Sequence, residues 1–199
     1  MENSKKYIVG LCGTHGTGKS TILQGVKLAG CASDETQLSR KAQAVLCWKK
    51  LSIAQESVEN MWALQDAILC AMFDRDVLIE RSRTVTIVER TPADVWAYTE
   101  MWCNRLGINY IHDTRAMLYK ARCRSMAQRY AKFLMVPPIM EIPFVVESNR
   151  ADLASRAFVD SAIGQFLWDG ALPFYLIKSS DKDCRVAEAI ANIDCIRTL

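Results

Sequence analysis

Only two histidines, His15 and His112, occur in the 199 residues, and the eight cysteines stand apart at 12, 31, 47, 70, 103, 123, 184 and 195. No C-x-x-C or zinc-knuckle spacing exists, which excludes the common structural zinc sites. Thiols this scattered read as small buried hydrophobes in a reducing compartment, so the expected location is cytoplasmic, the host cytoplasm if the chain is viral. No apolar run reaches the roughly eighteen residues of a spanning helix, and Met1 to Lys6 leads straight into the first apolar stretch without a signal-peptide core. Membrane insertion is thus disfavoured. Charge of one sign is also scarce, with 25 basic against 22 acidic residues and a net +3. Such a total does not mark a nucleic-acid binder, and only a local basic patch would do so.

What is present is ordinary globular material, half hydrophobic and about a quarter charged. The length fits one domain over 1–199, enough to bury about 70% of the extended-chain surface. No repeat, linker or low-complexity tract divides it. The stretch Gly13-Thr14-His15-Gly16-Thr17-Gly18-Lys19-Ser20 fills the pattern G-x-x-x-x-G-K-[ST] of a phosphate-binding loop. The apolar run Tyr7 to Cys12 before it reads as a buried strand, and Lys19 to Gln24 after it as a helix start. Glycines let successive backbone N–H groups curl around one anionic centre, and the helix N-terminus adds its positive dipole end. Lys19 is expected on the β- and γ-phosphates and the Ser20 hydroxyl on Mg²⁺, with Thr21 completing the nucleotide-binding stretch. His15 projects from the loop, either toward an acceptor or as a tolerated loop residue.

Further along, Cys31 to Thr36 reads as a polar connection, and its Asp34 and Glu35 are candidates to take the proton of an attacking hydroxyl. Asp34 with Gln37 also resembles a capping box. Helical spacing covers Gln37 to about Lys50, and again Ser57 through Val77. There Trp48 and Trp62 fit the core better than a base-stacking cleft, and Gln65 fits a base edge or solvent. Thr84 to Val88 is a β-branched strand closing on Glu89-Arg90-Thr91-Pro92. At the carboxyl end of a strand in an open α/β sheet, Glu89 falls beside Mg²⁺ and Arg90 beside a phosphate, the alternative being an ion pair capping the next helix. From Asp113 to Lys132 a helical pattern places Arg115, Arg122 and Arg129 along one side. They are a candidate polyanion contact or a solvated flank whose stems cover apolar surface. Phe133 to Val136 and Pro173 to Lys178 read as the fourth and fifth strands, and Asp183 to Arg197 as the last helix.

Together, the glycine loop, the strand closing on Glu89-Arg90 with Asp94 and Tyr98 following, and a late arginine-bearing loop resemble the P-loop nucleoside and nucleotide kinases. The likeness is nearest to the compact deoxynucleotide kinases of bacteriophages. It implies an α/β, three-layer αβα P-loop NTPase fold with a five-stranded parallel sheet and a helical lid near 138–156. It also implies ATP and Mg²⁺, and Arg150 and Arg156 closing over the phosphates. Glu rather than Asp precedes Arg90, and His15 stands where thymidylate kinases carry a loop arginine, so the acceptor stays open. A free deoxynucleoside monophosphate leads. A hydroxymethylated pyrimidine in DNA is the alternative, and a switch ATPase without a small acceptor comes third; a homodimer is compatible with all three. Lys19→Ala is expected to lower phosphate transfer from labelled ATP by about 10²-fold or more with the circular dichroism spectrum unchanged, and transfer at the wild-type rate would remove Lys19 from the chemistry.

Overall fold

The computed structural model describes residues 6–55, 57–138 and 153–198. Most of the expected lid, including Arg150, lies outside them. Five strands, β1 (Ile8–Cys12), β2 (Ala32–Asp34), β3 (Thr86–Glu89), β4 (Tyr130–Met135) and β5 (Phe174–Leu176), form one sheet in the order β2-β3-β1-β4-β5. Every pairing is parallel. The helices are α1 (Lys19–Leu28), α2 (Leu38–Val45), α3 (Val58–Ser82), α4 (Pro92–Arg105), α5 (Thr114–Ala127), α6 (Leu153–Asp169) and α7 (Lys182–Arg197), with a 3-10 turn over Leu51–Gln55. This is the three-layer αβα arrangement expected from the sequence. All eight cysteines are free thiols, and among the described residues no helix is long and apolar enough to cross a membrane.

The layers follow from which side chains each strand sends to which face. Val9, Leu11, Ile87 and Leu134 pack under α1 and α7 with Ile22, Val26 and Ile193. On the other face Ile8, Val88 and Phe133 meet the larger side chains of α3 to α6, among them Met72, Trp96, Tyr119 and Phe166. A parallel sheet covered on both faces needs continuous apolar strands, which β1 supplies at its centre. Trp62 belongs to this core at 2% exposure, and Trp48 packs against it.

Several boundaries differ from the sequence expectation. The polar connection after α1 contains a strand, β2, because Ala32, Ser33 and Asp34 pair with Thr86, Ile87 and Val88 despite weak strand propensity. Asp34 does not cap α2. Its Oδ1 accepts from the Thr36 N–H at 2.8 Å, and the cap residue Gln37 receives no side-chain bond. The basic stretch is not one helix, since α5 stops at Ala127 and Lys132 lies in β4. Gln65 is buried, where a solvent-facing or base-reading position was expected.

Topology puts the site where it does. From β1 the chain crosses to the sheet edge and returns through β3, then passes over to β4 on the other side of β1. The crevice at this reversal opens above the carboxyl ends of β1 and β3. Gly10 in β1 is required by the crowding beneath it. A Cβ there would lie 2.7 Å from Thr91 Cγ2, 2.9 Å from Tyr130 Cδ1 and 3.0 Å from Phe133 Cδ1. Gly10→Ala is expected to cost about 1–3 kcal/mol, read as a lowered urea midpoint, and an unchanged midpoint would contradict this packing.

Candidate active site

The loop between β1 and α1 curls because three glycines take up positive φ: Gly13 at 146°, Gly16 at 66° and Gly18 at 86°. At Gly13 space is as restrictive as torsion, since a Cβ would come within 2.5 Å of the Val136 carbonyl. The Thr17 hydroxyl donates to the Thr14 carbonyl at 3.1 Å and tightens the turn. Inside it, Lys19 Nζ donates to the carbonyls of Gly13 and Thr14, each at 2.6 Å. Burial pulls this ammonium below its usual range; Asp94 and Glu89 oppose the shift and Arg90 adds to it. The lysine thus waits, dehydrated, on the carbonyls of the cradle.

Two tethers hold the loop from behind. The enclosed carboxylate of Asp94 accepts from the Gly13 N–H at 3.0 Å through one oxygen, and from the Thr91 N–H and hydroxyl, both at 2.8 Å, through the other. Thr91 and Asp94 also form the capping box of α4, with Pro92 beginning the helix. The second tether is Arg185 of α7, which donates to the carbonyls of Thr17 at 2.8 Å, Ser179 at 2.6 Å and Pro137 at 3.3 Å. It ties the loop to the ends of β4 and β5.

At the mouth of the loop the Ser20 hydroxyl donates to Glu89 Oε2 at 3.1 Å. A hydroxyl and a carboxylate at the mouth of this glycine loop are hard oxygen donors of the kind Mg²⁺ takes. These residues fit that ion. Arg90 is left-handed at φ 66°, a conformation that costs a non-glycine residue about 1–2 kcal/mol. Its guanidinium lies 5.0 Å from the centroid of the Tyr98 ring, which in turn stands 4.8 Å from the His15 ring. Burial raises the Tyr98 phenol to about 12, so it stays protonated. Glu89 and Arg90 do not cap α4; Thr91 does.

A cleft of about 890 Å³ brings together His15, Lys19, Ser20, Glu35, Glu89 and Arg90. Glu35 also pairs with Lys27 at 2.9 Å, both side chains being more than half exposed. Asp34 is not among the lining residues. Arg156 of α6 is buried, and one turn along, Asp160 is held above the ordinary carboxylate range by burial, against the opposing charges of Lys19 and Arg156. The three arginines of the seven-residue spacing are engaged elsewhere. Arg115 and Arg122 both reach Asp66, at 3.2 and 2.8 Å, and Arg129 grips Glu80 at 2.9 and 2.6 Å. The residues sequence reasoning missed are Asp94 in its loop-holding role, Arg185 and Arg75. Only the capping-box spacing of Thr91 and Asp94 offered a signal.

No protein-family model and no curated protein matches the chain. Among solved structures, NadR protein in complex with NR aligns with a TM-score of 0.68 at 11% identity, over 98% of this chain. The chain spans 52% of that NadR chain. Thymidylate kinase from Ehrlichia chaffeensis aligns with a TM-score of 0.58 at 12% identity, over 95% of this chain and 98% of the other. At such identities the likeness is one of fold alone.

Behind Arg185, Glu188 accepts from the N–H groups of Lys178 and Ser179 at 3.0 and 2.9 Å and from the Tyr175 hydroxyl at 3.1 Å. Burial alone would raise this carboxyl, but those bonds and Arg185 prevail and hold it below the ordinary carboxylate range. A depressed carboxylate stabilises the fold above its unfolded value and loses that contribution as pH falls through the folded one. The stability difference between wild type and Glu188→Gln should therefore be constant near pH 7 and shrink below about pH 4.5, and a difference that stays flat to about pH 3 would contradict it.

Proposed function

We propose that the protein is an ATP- and Mg²⁺-dependent phosphotransferase acting on a nucleotide-type acceptor, with a free deoxynucleoside monophosphate as lead substrate and the cytoplasm as its setting. One observation carries the reading. The glycine cradle with buried Lys19 faces Glu89 and Arg90 across a single cleft, with Ser20 and Glu89 already within hydrogen-bonding distance. Phosphoryl transfer needs little covalent help from a protein, so positioning and charge neutralisation are the main requirements.

In this reading the loop N–H groups and Lys19 hold the β- and γ-phosphates, the lysine exchanging its two carbonyl partners for phosphate oxygens. Mg²⁺, when bound at Ser20 and Glu89, supplies neutralisation of charge shared between those phosphates. An acceptor oxygen attacks the γ-phosphorus as the bond to the β–γ bridging oxygen breaks, and ADP departs with that electron pair. Arg90 steadies the equatorial oxygens, together with Arg156 and the Arg150 that the family likeness brings from the lid. Arg90 and His15 both lie against the Tyr98 ring, which fits the acceptor side. A monophosphate acceptor brings an ionised oxygen and asks for no base.

A hydroxyl acceptor is the second reading, favoured by Glu35 lining the cleft, where it could take the proton; Asp34, one residue back, does not line it. The DNA form of that reading needs a polyanion surface as well. Arg115, Arg122 and Arg129 would supply it only by exchanging Asp66 and Glu80 for phosphates.

Labelled ATP incubated with nucleosides, monophosphates, and plain or hydroxymethylated DNA tests the assignment. Label is expected on a monophosphate; label on a nucleoside or on hydroxymethylated DNA selects the second reading. ATP hydrolysis with label on none of them would overturn the kinase assignment in favour of a switch ATPase.

A further inference from the structure

Beneath the tip of β3 lies a charged cluster that the chemistry above leaves unused. It consists of Arg75 and Asp76 of α3 and Tyr130 of β4, all buried. Asp76 Oδ1 accepts from Arg75 Nε at 2.9 Å and from Nη2 at 2.8 Å. The Tyr130 hydroxyl accepts from Nη2 at 2.8 Å and donates to Asp76 Oδ2 at 3.0 Å, closing the ring. Nη1 is left over, and it leaves the cluster for the backbone of the site, donating to the carbonyls of Glu89 at 2.8 Å and Arg90 at 3.2 Å.

Two consecutive carbonyls held by one nitrogen fix the peptide between them. This peptide is where the chain leaves β3 and enters the left-handed region, at Arg90 φ 66°. The direction of that turn sets where the two side chains go. Glu89 extends to the Ser20 hydroxyl, and Arg90 extends to the Tyr98 ring. A buried ion pair contributes little net stability, because desolvation offsets the attraction and apolar side chains could fill the same volume. What apolar side chains could not supply is a donor on the two carbonyls.

We infer that Arg75 is a positioning residue for the cation-facing side of the site. By clamping the Glu89 and Arg90 carbonyls from below, it holds the Glu89 carboxylate beside Ser20 for the Mg²⁺ of bound ATP. Arg75 touches no substrate and acts only through its two neighbours. The inference rests on the proposed phosphotransferase reading, yet its test requires no phosphate transfer.

The test is calorimetric binding of a non-hydrolysable ATP analogue to the full chain, with and without MgCl₂. Arg75→Lys keeps a cation beside Asp76, but one ammonium cannot hold that carboxylate and also reach the two carbonyls, as the separate guanidinium nitrogens do. Tyr130→Phe removes one bond to the guanidinium and leaves Nη1 in place. Wild type and Tyr130→Phe are expected to share the same Mg²⁺-dependent gain in affinity. Arg75→Lys is expected to keep the metal-free affinity and lose about 10–100-fold of that gain. If Arg75→Lys does not fold by circular dichroism, the double variant Arg75→Met with Asp76→Asn, which leaves no buried charge unpaired, carries the same expectation. A full Mg²⁺ gain in the folded Arg75 variant, an equal loss in Tyr130→Phe, or no gain in wild type would each overturn the assignment. Failure of the phosphotransferase reading would show separately, as wild type moving label to no acceptor.

Discussion

Everything in this site depends on one buried carboxylate. Asp94 has no exposure to solvent, and its two oxygens accept from the Gly13 N–H and from the N–H and hydroxyl of Thr91. Buried without these donors it would be strongly unfavourable, so the three bonds form together or the site does not form. Together they join the end of β1, the start of α4 and the glycine loop. Lys19 and the loop amides are therefore presented from a rigid base.

Two arginines extend the same logic, and three do not. Arg185 reaches over the back of the loop from α7, and Arg75 supports the Glu89–Arg90 turn from α3, each by donating to backbone carbonyls. Both are buried, which suits the planar, multiply donating guanidinium. Arg115, Arg122 and Arg129 instead bind side-chain carboxylates of α3, with Arg115 and Arg122 half exposed. Their seven-residue spacing in the sequence reflects how α5 and the chain beyond it lie along α3.

The fold and the glycine loop were legible because their signals are local. The glycine pattern, the apolar run before it, and a β-branched strand ending in Glu89-Arg90 need no tertiary context. β2 was not legible, because Ala32, Ser33 and Asp34 become a strand only through pairing with β3. The boundary at Gln128-Arg129-Tyr130 carries no glycine or proline, so a helical pattern runs through it unmarked. Asp94 could be read as a cap from its spacing to Thr91, but its bond to Gly13 spans 81 positions. Arg75, one charged residue among many on a 25-residue helix, reads as surface, and only packing against Tyr130 and β3 reveals otherwise.

In the proposed reading this cradle grips the polyphosphate of ATP with a cation at its mouth. A crystal structure with an ATP analogue and Mg²⁺ tests it most directly. The β- and γ-phosphates are expected within the loop formed by Gly13 to Ser20, with Lys19 Nζ moved from the Gly13 and Thr14 carbonyls onto phosphate oxygens and the cation beside Ser20 and Glu89. A nucleotide bound outside that loop, or Lys19 still seated on the two carbonyls with nucleotide present, would contradict it.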